Sequence, residues 1–345
     1  MKIIIVGGGF CGSTLSLYLD QNPTIDTKLI DKKPYFEYTP SIPKLLNNNI
    51  SQKEIQPHYT QFLKHVKPLQ EKVIEITPNS IKTQKTQYHY DYLILCPGVT
   101  YPIFLENKDK VFTVKNAESA QFLASKLKKN QKIIIIGGGI VGVEAAAEII
   151  TKYPKKNITI IHPKNRLIHR NIIFASCYAE KFLQKRGVKI ILNAKVVQHK
   201  GNQFILSNGK IIDADIGIWC AGNKPDTTIM HGFPSSIKSD RNLLNVNQYL
   251  QLKGYSHIFV GGDITNIQEE KTAFNADRHA KIIYHNIKRS LQNKPLKTYK
   301  TIPAFLIISL GKFDGMIIYK NFFLPGSIAA LSKWIVQRII LISRH

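Results

Sequence analysis

The strongest constraint on this chain is a glycine pattern that occurs twice. Gly7-Gly8-Gly9-Phe10-Cys11-Gly12 near the start recurs in mid-chain as Gly137-Gly138-Gly139-Ile140-Val141-Gly142. The first copy follows the β-branched run Lys2-Ile3-Ile4-Ile5-Val6 and leads into Ser13-Thr14-Leu15-Ser16-Leu17-Tyr18-Leu19, which reads as a helix. The second follows Lys132-Ile133-Ile134-Ile135-Ile136 and leads into Val143-Glu144-Ala145-Ala146-Ala147-Glu148-Ile149-Ile150, rich in strong helix formers. In such a strand-turn-helix unit the first glycine (Gly7, Gly137) permits the tight bend. The second (Gly9, Gly139) lets the backbone approach a pyrophosphate, and the third (Gly12, Gly142) lets helix and strand pack closely. The helix N-terminus then faces the anion. Two dinucleotide sites in one polypeptide point to an enzyme that moves electrons between two cofactors.

The acidic residue expected about 20 positions further on separates the copies. Asp31 ends the run Thr27-Lys28-Leu29-Ile30, where its carboxylate would accept hydrogen bonds from an adenosine ribose. The equivalent strand of the second copy, Ile158-Thr159-Ile160-Ile161, ends at His162 and is followed by Lys164, Arg166, His169 and Arg170. A site with no carboxylate and with cations nearby does not repel a ribose 2′-phosphate, so NADPH is expected to be accepted as well as NADH.

The net charge of +25 comes from 40 lysines against 8 arginines. A basic surface attracts nucleic acid or anionic membrane. Nucleic-acid readers favour arginine forks and clustered aromatics, and neither is evident, so nucleic acid is not the expected partner. The four cysteines, Cys11, Cys96, Cys177 and Cys220, form no closely spaced pair. They read as reduced thiols with no metal role and no dithiol to relay electrons. Cys11 sits at a helix N-terminus, where a thiolate would be favoured, but reads as a small residue packed beside the cofactor. No targeting segment precedes the first strand, which points to a cytoplasmic protein.

Further strand-and-turn signals organise the rest. Val73-Ile74-Glu75-Ile76 reads as a strand, and Tyr88 to Leu95 as another that runs into Cys96-Pro97-Gly98. Asp215 to Cys220 leads into Ala221-Gly222-Asn223-Lys224-Pro225, and His257 to Val260 leads into Gly261-Gly262-Asp263. The fold expected is α/β with two Rossmann-like dinucleotide-binding domains, the second inserted in the first, and a small C-terminal α+β segment. The division is 1–113 and 244–300 for the first domain, 114–243 for the second, and 301–345 for the last segment.

The order GGGFCG, Asp31, CPG, GGGIVGVE, CAGNKP and VGGD resembles the two-dinucleotide flavoproteins of the pyridine nucleotide-disulfide oxidoreductase superfamily. Finer similarity, in Ala147–Pro154 with Thr159–His162, in Lys271–Ala280 and in Leu310–Gly315, is to the ferroptosis-suppressor and apoptosis-inducing-factor-like NAD(P)H–quinone oxidoreductases, and more distantly to type II NADH dehydrogenases. The resemblance implies FAD in the first site, with Gly7, Gly9 and Gly12 at its pyrophosphate, Asp31 at its ribose and Asp263 at its ribityl or phosphate part. Lys44 falls where the family has an arginine near the flavin. Gly8, Val73, Pro97, Gly98, Gly222 and Gly262 complete the candidate cofactor contacts. Glu144 would lie near the nicotinamide of the NAD(P)H co-substrate, and Lys333 would approach the flavin. With no close cysteine pair to take the electrons, a quinone is the implied acceptor. A redox-sensing flavoprotein acting through partner binding and a sulfide-quinone reductase are the alternatives.

The C-terminus bears on where that acceptor comes from. From Ile328 to Ile342, Ile328, Leu331, Ile335, Ile339 and Ile342 recur at helical spacing, while Lys333, Gln337 and Arg344 occupy another side. The run is too short and polar to span a bilayer but suits a helix lying in a membrane interface, as a peripheral attachment. Alternatively, the apolar face closes the core or forms a homodimer contact. A lysine on such a helix is ordinarily a solvated charge.

Overall fold

The computed structural model describes residues 1–344. Each glycine loop follows a strand buried on both faces, as a parallel sheet covered by helices demands. Ile3, Ile4 and Ile5, and likewise Ile133, Ile134 and Ile135, have almost no exposed surface. Lys2–Val6 is central in a five-stranded parallel sheet, in the order Ile258–Val260, Tyr92–Leu95, Lys2–Val6, Asp26–Asp31, Lys67–Gln70. Lys132–Ile136 is central in a second, in the order Lys189–Ile191, Asn157–Ile161, Lys132–Ile136, Ile216–Trp219, Val111–Thr113. The second sheet is made wholly of residues between the two parts of the first. This is the α/β architecture with one dinucleotide fold nested in another.

Three small antiparallel sheets complete the chain, at Val73–His89, Val196–Asp213 and Phe305–Pro325. The expected single strand from Tyr88 to Leu95 is two strands in different sheets. Gln87–His89 pairs with Ser80–Thr83, whereas Tyr92–Leu95 joins the first parallel sheet. The chain changes sheets at Tyr90-Asp91, where the Tyr90 hydroxyl donates to Thr77 O (2.6 Å) and the Asp91 carboxylate accepts the Lys2 N–H (2.6 Å).

The helix Ile140–Lys152 packs beneath the 3₁₀ segment Thr39–Asn47 and against Phe305–Ser309, so three distant stretches meet around it. The C-terminal helix Ser327–Ile342 lies on the last sheet with an unusual orientation. Its buried side chains are Ala329, Lys333, Gln337 and Leu341, followed by Arg344 just beyond its end. Ile328, Leu331, Trp334, Ile335, Ile339 and Ile342 face outward, Ile339 at 62% and Ile342 at 71% exposure. The apolar face therefore does not close the core, and Lys333, 5% exposed, is not a solvated charge. The inversion holds because each inward polar group has a partner: Lys333 reaches Glu144, Gln337 reaches Ser41, and Arg344 reaches Thr14. No helix is long and apolar enough to cross a membrane among the described residues.

Candidate functional site

The two glycine loops are built alike. Gly7 (φ +96°) and Gly137 (φ +112°) are left-handed, and a Cβ on Gly12 or Gly142 would lie 1.9 Å from the carbonyl oxygen of Gly7 or Gly137. The atom each Cβ would strike is main chain and cannot swing away, so only glycine fits. Gly9 and Gly139 differ, because a Cβ there would meet nothing within 4 Å. Both cap a helix in extended conformation, and the open space lies at that helix N-terminus, where an anion is favoured. Gly8 is closed from the other side by Tyr59, whose hydroxyl donates to Gly8 O (3.0 Å).

The residues after the loops show how the copies diverge. Asp31 Oδ2 accepts the Gly8 N–H (2.6 Å) and Oδ1 accepts the Lys33 N–H (2.8 Å). Each carboxylate oxygen keeps another lone pair able to accept a further hydrogen bond. In the second copy, His162 Nδ1 accepts the Gly138 N–H (3.1 Å), the same bond made by an imidazole. An accepting Nδ1 requires a neutral ring with its proton on Nε2, 3.3 Å from His169 Nδ1. Burial, with His169 and Lys164 adding, holds the His162 pKa down to about 4. Of the cations that follow, Arg166 is committed to Ser176 Oγ and His169 O (each 2.6 Å). Lys164 and Arg170 make no side-chain hydrogen bond among those of the described residues.

Glu144 and Lys333 come together. Glu144 Oε1 accepts the Lys333 ammonium, the Ser309 N–H (2.9 Å) and the Ser309 hydroxyl (3.2 Å), with both charged residues buried. Lys333 Nζ also lies 3.1 Å from Ser309 Oγ. Lys44 joins this group through Gln337, whose Oε1 accepts Lys44 Nζ (3.0 Å) and Ser41 Oγ (2.8 Å). Burial, with Lys333 adding, lowers the Lys44 pKa to about 8.

All the remaining candidates but Val73 lie just after the ends of the parallel strands. A Cβ on Gly7 would strike Cys96 O and Pro97 Cα, so Pro97 backs the first loop, and Gly98 (φ +70°) has open space beside it. Gly222 (φ +71°) follows Ile216–Trp219 and faces Phe104. The Gly262 N–H donates to His279 Nδ1 (3.0 Å), and His279 Nε2 lies 2.8 Å from Glu269 Oε1. Burial raises the carboxyl of neighbouring Asp263 above its ordinary range. Val73 begins the small sheet just after Glu71, whose N–H donates to Asp31 O (2.9 Å).

Several participants were not among the site residues expected from the sequence: Tyr59, Ser309, Asn47, His279, Glu148, and Gln337, which was noted only as part of the polar side of the last helix. Glu148 carried a signal, a second carboxylate one turn after Glu144 on an otherwise apolar helix, which needs a partner when buried. Two of the cysteines form a pair in space that the sequence spacing does not show. Cys11 and Cys96 are far apart in sequence, yet their sulfurs are 3.2 Å apart and buried behind the first loop. Parallel strand order brings the ends of Lys2–Val6 and Tyr92–Leu95 side by side, a proximity that spacing cannot reveal. Hydrogen bonding to Cys96, together with burial, raises the Cys11 thiol pKa, so the helix N-terminus does not make it a thiolate.

Residues 1–280 match the pattern of the pyridine nucleotide-disulphide oxidoreductases. The chain is 28% identical to ferroptosis suppressor protein 1 of Taeniopygia guttata, over 96% of this chain and 92% of that protein. It is 30% identical to apoptosis-inducing factor homolog A of Dictyostelium discoideum, over 91% of this chain and 84% of that one. Its fold is similar to the sulfide:quinone oxidoreductase of Aquifex aeolicus, with a TM-score of 0.89 at 20% identity, over 99% of this chain and 91% of that one. It is also similar to NDH2 from Plasmodium falciparum in complex with NADH, with a TM-score of 0.85 at 19% identity, over 99% and 96% of the two chains. Paired glycine loops in nested parallel sheets and the match across residues 1–280 place this chain in the pyridine nucleotide-disulphide oxidoreductase family.

Proposed function

We propose that this protein is an FAD-dependent oxidoreductase that takes a hydride from NADH or NADPH and passes two electrons to a quinone. The observation that carries this reading is the buried Glu144–Lys333 pair, which ties the second glycine-loop helix to a C-terminal helix whose opposite face is apolar and open. Residues 1–113 and 244–300 would hold FAD through the first loop, Asp31 and Asp263, and residues 114–243 would present NAD(P)H through the second loop and His162. FAD, when bound, supplies the two-electron chemistry, accepting hydride from one partner and returning electrons to the other. The chain's own contribution is to hold the partners and exclude water. Glu144 is immobilised by Ser309 and Lys333, and Lys333 is left with donor capacity for an acceptor oxygen.

A quinone is favoured over a disulfide or sulfide substrate. The Cys11–Cys96 pair lies behind the first loop, and the raised Cys11 thiol is in the wrong protonation state for attack. The quinone in the name of the Aquifex neighbour supports the same acceptor class. Protein purified without stripping cofactors should be yellow and oxidise NAD(P)H faster with a short-chain quinone than with oxygen alone. Colourless protein, or no quinone turnover, would overturn the reading. Within that assay, His162→Asp should lower NADPH turnover relative to NADH by roughly tenfold, the ratio produced by about 1.4 kcal/mol of repulsion of the 2′-phosphate. An unchanged ratio would remove His162 from the ribose pocket.

The outward apolar face supports peripheral attachment to a membrane, where quinones dissolve. Arg338 lies over the Trp334 ring (5.4 Å), placing a cation beside the aromatic at the edge of that face. Replacing both Ile335 and Ile339 by Ser should weaken co-sedimentation with anionic vesicles by roughly a hundredfold, the equivalent of about 3 kcal/mol of lost apolar transfer. If the substitutions instead convert a solution dimer to a monomer and leave vesicle binding intact, this face is a homodimer contact.

A further inference from the structure

Beside the Glu144–Lys333 pair lies a second buried acid. Glu148 is 1% exposed and sits one helical turn after Glu144, on the same face of Ile140–Lys152. Its Oε2 accepts the side-chain N–H of Asn47, which leaves Oε1 available to carry a proton. Three charged groups act on it: Glu144 from its own helix, Lys44 from Thr39–Asn47 and Lys333 from the C-terminal helix. The strand Phe305–Ser309 contributes the Ser309 hydroxyl. Lys44 is the half-buried member, so the cluster runs from the side nearer solvent at Lys44 inward to the buried Lys333.

The reduction of a quinone by NAD(P)H consumes one proton beyond the hydride, and a buried site must draw that proton through its own groups. We infer that Glu148 is the proton store of this site, acting through Glu144 and Lys333 on the acceptor oxygen. The inference rests on the quinone reading above. In each turnover Lys333 gives a proton from Nζ to the reduced acceptor's oxygen; Glu148 then passes its proton to the Glu144 carboxylate, which hands one on to the Lys333 amine, so the pair returns to carboxylate and ammonium and Glu148 is left ionised. Solvent then restores Glu148 by way of Lys44. One proton moves from water to the product, and no electrons move along this path. Burial, with Glu144 adding, brings the Glu148 pKa to about 7, so the store is loaded below that pH and empty above it.

The test separates the two half-reactions by anaerobic stopped flow. Flavin reduction by NADPH needs no proton from this path and should change less than about twofold in Glu148→Gln, whereas reoxidation by a short-chain quinone should fall at least about tenfold and lose its inflection near pH 7. Glu148→Asp should restore the inflection, and Lys44→Met should move it to higher pH by removing a cation that favours the carboxylate. Infrared difference spectra of the wild-type protein should show a protonated carboxyl band that titrates near pH 7 and is missing in Glu148→Gln. That readout is independent of turnover. A wild-type pH profile for reoxidation in Glu148→Gln, or no titrating band, overturns the proposal. Failure of the wild-type flavin to be reduced by NADPH or reoxidised by quinone would instead sink the underlying function.

Discussion

Lys333→Met is expected to slow quinone-dependent turnover by about a hundredfold or more, the usual effect of removing one preorganised electrostatic donor. It should also cost about 3–5 kcal/mol of stability, because Glu144 stays behind as a buried carboxylate without its counter-ion. The two effects can be separated. Glu144→Gln combined with Lys333→Met removes both charges, leaves an amide that can still accept from the Ser309 N–H, and should recover most of the lost stability without recovering turnover. Thermal unfolding and steady-state kinetics on the two variants and the wild type decide the matter. A Lys333→Met protein with wild-type turnover would place the ammonium in a purely structural role.

Alanine substitutions in the glycine loops should dissociate the two nucleotide sites. A Cβ on Gly12 lies 1.9 Å from Gly7 O, and one on Gly142 lies 1.9 Å from Gly137 O. Neither clash can be relieved by rotating a side chain, and overpacking of this kind costs about 1–3 kcal/mol, often more against backbone. Gly12→Ala is therefore expected to yield protein that retains little flavin, read as the ratio of flavin absorbance to protein. Gly142→Ala should keep its flavin but raise the KM for NAD(P)H by roughly tenfold to a hundredfold. Gly9→Ala gives a third pattern. Its Cβ meets nothing in the protein, so folding should be unaffected while the space for a diphosphate is narrowed and flavin affinity drops. Equal flavin loss in Gly12→Ala and Gly142→Ala would show that the loops do not serve separate nucleotides.

The legible part of this protein was local. Strand, turn and helix around each glycine loop lie within about 20 residues, and the bond from Gly8 N–H to Asp31 has its counterpart from Gly138 N–H to His162. The Tyr88–Leu95 run misled because alternating apolar residues suit two short strands as well as one, and the choice depended on where Asp91 met Lys2. The polar face of the C-terminal helix looked solvent-directed for a similar reason. Amphipathic spacing shows that two faces differ but not which one is buried.

The sequence alone determined two nested nucleotide folds and the inequality between them, since φ > 0, main-chain contact and the residue closing each loop are set by neighbours along the chain. The tertiary structure decided which distant residues meet. Glu144 and Lys333 are 189 residues apart, and Cys11 and Cys96 are 85 apart. Strand order and helix docking bring them together, and a buried charge survives only where that packing delivers its partner. The same packing turned Lys333, Gln337 and Arg344 inward and left the isoleucines of the last helix facing out.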